Sequence, residues 1–263
     1  MLSQETIKNL PNNSRFYILV FSVLLSMFTA CLLRMQVGSE QLFYIRTEQI
    51  FGFIAIGYVY LALAISPVQK IVGKPGWMKC VLFARRAIGV SAAYFAFLHA
   101  AVAFWGQIGG FDGLGLLPRT FMWSLGFGAI ALLVLFLMAA TSFDKVIAFM
   151  TFRHWKWLHR FIYGAGILII LHVWMVGTHV VYNSVQIICA TALGLLFGLQ
   201  SWRIVSDFAK RFPVFSSRDY LITIFICLWL VWTLVLLSMP NYIQSYHGQH
   251  HNATQREGGH QHE

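Results

Sequence analysis

WLHRFIYGAGILIILHVWMV, residues 157–176, is the stretch that decides what kind of molecule this is. From Phe161 to Val176 it carries no Lys, Arg, Asp or Glu and a single imidazole, His172. A helix crosses the hydrocarbon core of a bilayer in about 20 mostly apolar residues, and this run has that length. An imidazole deep in such a run is costly in lipid, so it is expected to face the bundle interior and to have a task there.

Outward from this stretch the same kind of run recurs. Spans are predicted at 16–33, 48–66, 87–106, 121–141, 157–176, 185–202 and 220–239. Hydrophobic residues make up 58% of the chain and charged ones 11%, against about a quarter charged in an average soluble domain. The fold class is therefore all-α integral membrane, with connections too short for a soluble domain. The first span lacks a small-x-small cleavage site and reads as a retained helix. Cys31, Cys80, Cys189 and Cys227 are scattered over different spans, so no disulfide framework or CxxC metal site is suggested.

Charge supplies an orientation. Alternating the sides of the spans puts Lys8, Arg15, Lys70, Lys74, Lys79, Arg85, Arg86, Lys145, Arg153, Lys156, Arg160, Arg203, Lys210, Arg211 and Arg218 on one side. Only Arg34, Arg46, Arg119 and Arg256 fall on the other. Such asymmetry places the basic side in the cytoplasm. The N-terminus (1–15) is then cytoplasmic, the tail (241–263) lies outside, and the expected location is a bacterial-type inner or plasma membrane. The net charge of +10 reads as topology and attraction to anionic lipid, not nucleic-acid binding.

The histidines carry the chemistry. His99 lies 13 residues past Arg86, and His172 lies 13 past His159. Both climb roughly 20 Å from the basic boundary on helices running the same way. Two imidazoles on two helices thus reach one depth, which is what ligation of one heme iron from both faces requires. For each histidine alone, a hydrogen bond to a neighbouring helix is the plain alternative. Ala96 and Ala100, and Gly164 and Gly166, are small residues that would leave room for a porphyrin.

Trp155-Lys156-Trp157-Leu158-His159-Arg160-Phe161-Ile162-Tyr163 followed by His172 resembles the fifth-helix signature of the ferric reductase-like transmembrane domain. Arg85-Arg86-Ala87-Ile88-Gly89 with His99 is similar to that family's third helix. The family includes the membrane parts of NADPH oxidases and ferric reductases, and the bacterial heme-binding subunit of the periplasmic methionine sulfoxide reductase system. The resemblance covers 16–202 and implies a six-helix bundle with b-type heme, His99 and His172 being the outer ligands. It also implies electron transfer from a cytoplasmic or quinol donor to an external acceptor: ferric or cupric ion, oxygen, or a redox protein. Residues 203–240 then form an inner loop and an added seventh helix.

The chain departs from two-heme members at the inner position, where their second histidine is replaced by Arg85. A guanidinium stays protonated and cannot ligate iron, but it can pair with a propionate or an anionic donor. His159 is left as an inner ligand candidate without an obvious partner, so one heme is expected and a second heme, FMN, FAD or quinone near the inner face stays open. His179, seven residues beyond His172, would face the exit or be a plain interfacial residue. No G-x-G-x-x-G follows a strand-like run, so the donor is expected to be a separate flavin reductase or a quinol. Whether this makes the chain an oxidoreductase or an electron-transfer subunit is undecided at this level. The tail brings together His247, His250, His251, His260 and His262, a composition able to bind transition metals. A histidine-dependent metal or proton transporter without heme is the alternative function.

Overall fold

The computed structural model describes residues 4–73, 76–176, 183–209 and 222–234, and every regular element among them is helical. In chain order these are α1 (Gln4–Gln36), α2 (Glu40–Val72), α3 (Gly76–Ala101), α4 (Gly110–Leu114), α5 (Arg119–Ala140), α6 (Asp144–Met150), α7 (Phe152–Leu158), α8 (Phe161–Val176), α9 (Asn183–Ala209) and α10 (Ile222–Leu234). Six runs are long and apolar enough to cross a membrane: Ser14–Gln36, Glu40–Val72, Gly76–Ile108, Arg119–Ala140, Phe152–Val176 and Ile187–Ser206. The chain is an all-α integral membrane protein. The seventh predicted span, 220–239, coincides with α10 only in part; the described stretch is shorter than a crossing, and the remainder lies outside the described residues.

The helices outrun the predicted spans at most ends. An apolar window marks the crossing of hydrocarbon, whereas Gln, Glu, Lys and Arg at its flanks are good helix formers and prolong the helix into the polar layer. Two of the connections between predicted spans contain helix. Residues 142–157 hold α6 and α7, and 106–118 hold α4 and the end of a π-helical continuation of α3, Val102–Ile108. Gly109 and Gly110, at φ 81° and 76°, turn the chain out of this π segment in a region costly for any residue with a Cβ.

By contacts the chain divides into two compact units, Met1–His172 and Val173–Glu263. In the first, α3 packs against α1, α2 and α5. Many of its inward residues are small: Ala87, Ser91, Ala92 and Ala93 are all buried, and in lipid close approach of backbones takes the place of a hydrophobic driving force. Around Phe95, which is wholly buried, stand Phe51 and Tyr58 of α2 at ring separations of 5.8 and 5.7 Å. Hydroxyl pairs then tie α1 in: Ser22 donates to Ser91 at 2.8 Å and lies 2.9 Å from the Tyr58 hydroxyl, and Ser26 lies 2.8 Å from that of Tyr94. In the second unit, Gly194 and Gly198 of α9 admit Thr233 and Trp229 of α10 at close range, a small-xxx-small seam. The four cysteines are free.

Candidate functional site

His99 projects from the last turn of α3, immediately before the helix widens into its π segment. Such π turns are rare and often lie beside functional residues. His172 projects from α8. The ring centres lie 6.1 Å apart and their planes cross at 82°. Equal depth, inferred from equal spacing along two helices, is thus realised as direct juxtaposition.

Each ring is held in the same way by a different helix. The Nδ1–H of His99 donates to the backbone carbonyl of Glu48 on α2, 2.9 Å away. That of His172 donates to the backbone carbonyl of Ser124 on α5, 2.8 Å away. With the proton on Nδ1, the lone pair of each neutral imidazole resides on Nε2. This is the arrangement of most metal-ligating histidines, whose second nitrogen is fixed by a carbonyl or carboxylate.

The surroundings differ in their side chains. A Glu48 carboxylate oxygen lies 3.8 Å from His99 Nδ1, and this carboxyl is itself buried within the bundle. Beside His172 the hydroxyl of Ser124, fully buried, donates to the His172 carbonyl at 2.9 Å and lies 3.2 Å from its Nδ1. Ser124 therefore ties down both the ring and the backbone that carries it.

Whether these residues fit a heme can be judged from the donor set. An imidazole nitrogen binds a metal at about 2 Å and lies about 1 Å from its ring centre, so two rings on opposite sides of one metal would have centres about 6 Å apart. The observed separation agrees. Among the described residues no group of three or more His, Cys, Asp or Glu could hold a bare metal ion. A pair of imidazoles suits iron whose remaining ligands come from a macrocycle.

Of the small residues singled out from sequence, Gly164 and Gly166 border open space and do not touch the histidine rings. An added Cβ at Gly164 or Gly166 would meet nothing within 4 Å, and Gly164 is exposed. Ala165, two helical turns before His172, is the buried member of that run. The glycines that touch the site are Gly52 and Gly128, on the helices opposite the histidines. Sequence reasoning missed them, together with Glu48 and Ser124, although Glu48-Gln49-Ile50-Phe51-Gly52 and Ser124-Leu125-Gly126-Phe127-Gly128 share a Phe-Gly step and a four-residue spacing.

At the basic end of the spans lies a different cluster. His159 sits where α7 ends and before α8 begins, so its angular relation to His172 is not that of one continuous helix. Its ring lies 4.2 Å from that of Trp155, with Nδ1 3.1 Å from the Trp155 carbonyl. Trp155 in turn donates from Nε1 to Thr141 at the end of α5 and lies under the Arg86 guanidinium. Arg86 and Arg15 both pair with Asp144. The hydrogen bond from Arg86, helped by the charge of Arg15, holds the Asp144 carboxyl below its ordinary range. Arg85, expected at a propionate or donor, gives its Nε–H to the Ala62 carbonyl of α2, close to Pro67. Proline removes an amide and crowds the preceding turn of its helix, so polar cover from a neighbour is useful there. His154 pairs locally with the Thr151 hydroxyl. His179 and the tail residues His247, His250, His251, His260 and His262 lie outside the described residues.

Comparison with known proteins gives a consistent result. Residues 51–170 match the family model described as ferric reductase like transmembrane component; His99 lies inside that range and His172 two residues beyond it. Among relatives, the protein-methionine-sulfoxide reductase heme-binding subunit MsrQ of Ralstonia nicotianae is 31% identical over 53% of this chain and 63% of its own length. The subunit of the same name from Azospira oryzae is 30% identical over 62% of this chain and 66% of its own. That of Polaromonas naphthalenivorans is 31% identical over 60% and 69%. The chain thus spans slightly less than two thirds of the first two relatives. No solved structure matches the chain significantly.

Proposed function

The chain belongs to the ferric reductase-like transmembrane family, and on that premise we propose that it is a transmembrane electron conduit in which His99 and His172 hold one b-type heme. The observation that carries this reading is the pair of facing rings, each with Nδ1 committed to a backbone carbonyl and Nε2 left as the lone-pair nitrogen. Heme bound there supplies a one-electron carrier within a layer that charged donors and acceptors do not enter. The residues of this chain orient the two nitrogens, exclude water through the packed rings of Phe51, Phe95 and Tyr58, and hold the bundle closed.

Orientation follows the charge bias, with the basic end in the cytoplasm and the histidine pair in the outer half of the membrane. Electrons enter at the basic end from a separate flavin reductase or a membrane quinol. The cluster of Arg86, Trp155 and His159 stands at that end and is where a flavin, quinone or second heme would be sought. The acceptor is an external redox protein, a metal ion or oxygen. Because several relatives are named as heme-binding subunits of a protein-methionine-sulfoxide reductase, such a reductase is the acceptor to try first. The transporter alternative is less well supported: a histidine relay must exchange protons at both ring nitrogens, and here one nitrogen of each ring is committed.

The test is an absorption spectrum of the purified protein, oxidised and dithionite-reduced. A low-spin b-type spectrum is expected, and it should vanish in both His99→Ala and His172→Ala. A well-folded preparation that takes up no hemin would refute the proposal.

A further inference from the structure

The two histidines are held by a device that the family assignment does not describe. In an α-helix the carbonyl of residue i bonds the amide of residue i+4, and the Cα–Cβ bond of residue i+4 leans back toward the N-terminus, over that carbonyl. A side chain at i+4 therefore screens the carbonyl from lateral approach. Glu48 offers its carbonyl to His99, and the residue four further on is Gly52. Ser124 offers its carbonyl to His172, and the residue four further on is Gly128.

The space left by each missing side chain is filled by the ring itself. A Cβ built on Gly52 would stand 3.0 Å from His99 Nδ1 and 3.3 Å from Cε1. One built on Gly128 would stand 2.9 Å from His172 Nδ1 and 3.0 Å from Cε1. Each clash falls on Nδ1, the atom making the carbonyl hydrogen bond, and on its neighbour Cε1, so to clear a methyl group the ring must shift by a few tenths of an ångström where that bond is made. Gly57 on α2 and Gly126 on α5, by contrast, face open space. The coincidence of carbonyl and glycine at one spacing, on two helices and against two histidines, marks a repeated solution rather than two accidents of packing.

Resting on the heme reading above, we infer that Glu48–Gly52 and Ser124–Gly128 are equivalent positioning pairs, each a carbonyl that fixes Nδ1 and a glycine that admits the ring, so that both imidazoles present Nε2 to a common metal. Neither glycine touches the reacting atoms. Their role is to set the tautomer and angle of the ligand.

The pairs can be read with and without heme. Purified apoprotein labelled with 15N-histidine, in lipid bilayers, is examined by solid-state NMR, with the two signals assigned through His99→Gln and His172→Gln. Wild type should show both imidazoles protonated at Nδ1. Gly52→Ala should move the His99 signal alone, and Gly128→Ala the His172 signal alone. Loaded with hemin, each variant should retain it about 10- to 100-fold less tightly, the usual cost of losing an outer-shell partner of a metal-ligating histidine. Gly57→Ala and Gly126→Ala should match wild type in both measurements. Alanine is the better helix former, so helix propensity cannot produce the loss. Gly52→Ala and Gly128→Ala behaving like these controls would overturn the inference; should Gly128→Ala not fold, the α2 comparison decides alone. A wild type with the stated tautomers but no hemin uptake would refute the heme reading while supporting the pairs.

Discussion

The histidine pair and the basic cluster around His159 solve the same problem, fixing an imidazole among helices, by opposite means. His99 and His172 are fixed by main-chain carbonyls of helices opposite their own, with glycines cut to the ring. His159 bonds the carbonyl of Trp155, four residues back in its own short helix, and leans on that residue's ring. The cluster around it is closed by charges, Arg15 and Arg86 on an Asp144 that is largely exposed. A carbonyl in a helix has neither a protonation state nor a rotamer, so the first arrangement is stiff and indifferent to salt. Exposed ion pairs are worth at most about 1 kcal/mol and are screened by salt, so the second is soft. On the function proposed above, a stiff histidine pair and a compliant basic end suit a carrier that keeps its geometry while its partners come and go.

The contrast can be broken. The largest expected effect is complete loss of the reduced b-type spectrum in His99→Ala or His172→Ala, since each removes one of the two imidazoles. Next come the glycines, with Gly128→Ala worse than Gly52→Ala because its Cβ would approach the ring more closely; hemin competition against an apoglobin ranks them. His159→Ala should leave hemin content and the spectrum of the outer site unchanged, as counted by the pyridine hemochrome assay. A halved hemin content would instead mean that the soft end also holds one.

The smallest effect belongs to Asp144. Its carboxyl is held below the ordinary value of 3.8, first by the Arg86 hydrogen bond. A depressed folded value means that the stabilisation is present above the unfolded value and disappears as pH falls through the folded one. Asp144→Asn should therefore lower thermal stability slightly at neutral pH and low salt, by no more than about 1 kcal/mol. The difference from wild type should shrink below pH 3.8 and in high salt, as melting curves in detergent would record. If Asp144→Asn reduced hemin retention as much as Gly128→Ala, the distinction between a stiff and a soft end would be lost.

Much of the histidine site was legible from spacing. Matching 13-residue intervals from Arg86 and His159 place His99 and His172 at one depth, and the rings do meet. That inference treated residues 157–176 as one helix, whereas the chain changes helix at His159. Depth survived because a short break costs little rise; angle did not. Gly164 and Gly166 face open space, whereas the room for the His172 ring itself is left on the facing helix, by Gly128. Glu48 lay at the very start of a predicted span and drew no attention, although its carbonyl holds His99. A carbonyl leaves no trace in sequence, since every residue has one.

By itself, the sequence determined that the chain lives in a membrane, that six of its apolar runs are long enough to cross it, that most of its Lys and Arg fall on alternate connections, and that His99 and His172 stand equally far along their helices. All of these depend on properties summed along one helix: hydropathy, charge and a rise of about 1.5 Å per residue. Only the tertiary structure decided which carbonyl meets which ring, which glycines are cut to fit, and that Arg85 turns to the Ala62 carbonyl. Those are contacts between helices, set by how each is rotated about its own axis. In lipid, where both sides of a helix face apolar surroundings, sequence patterning constrains that rotation weakly and packing fixes it.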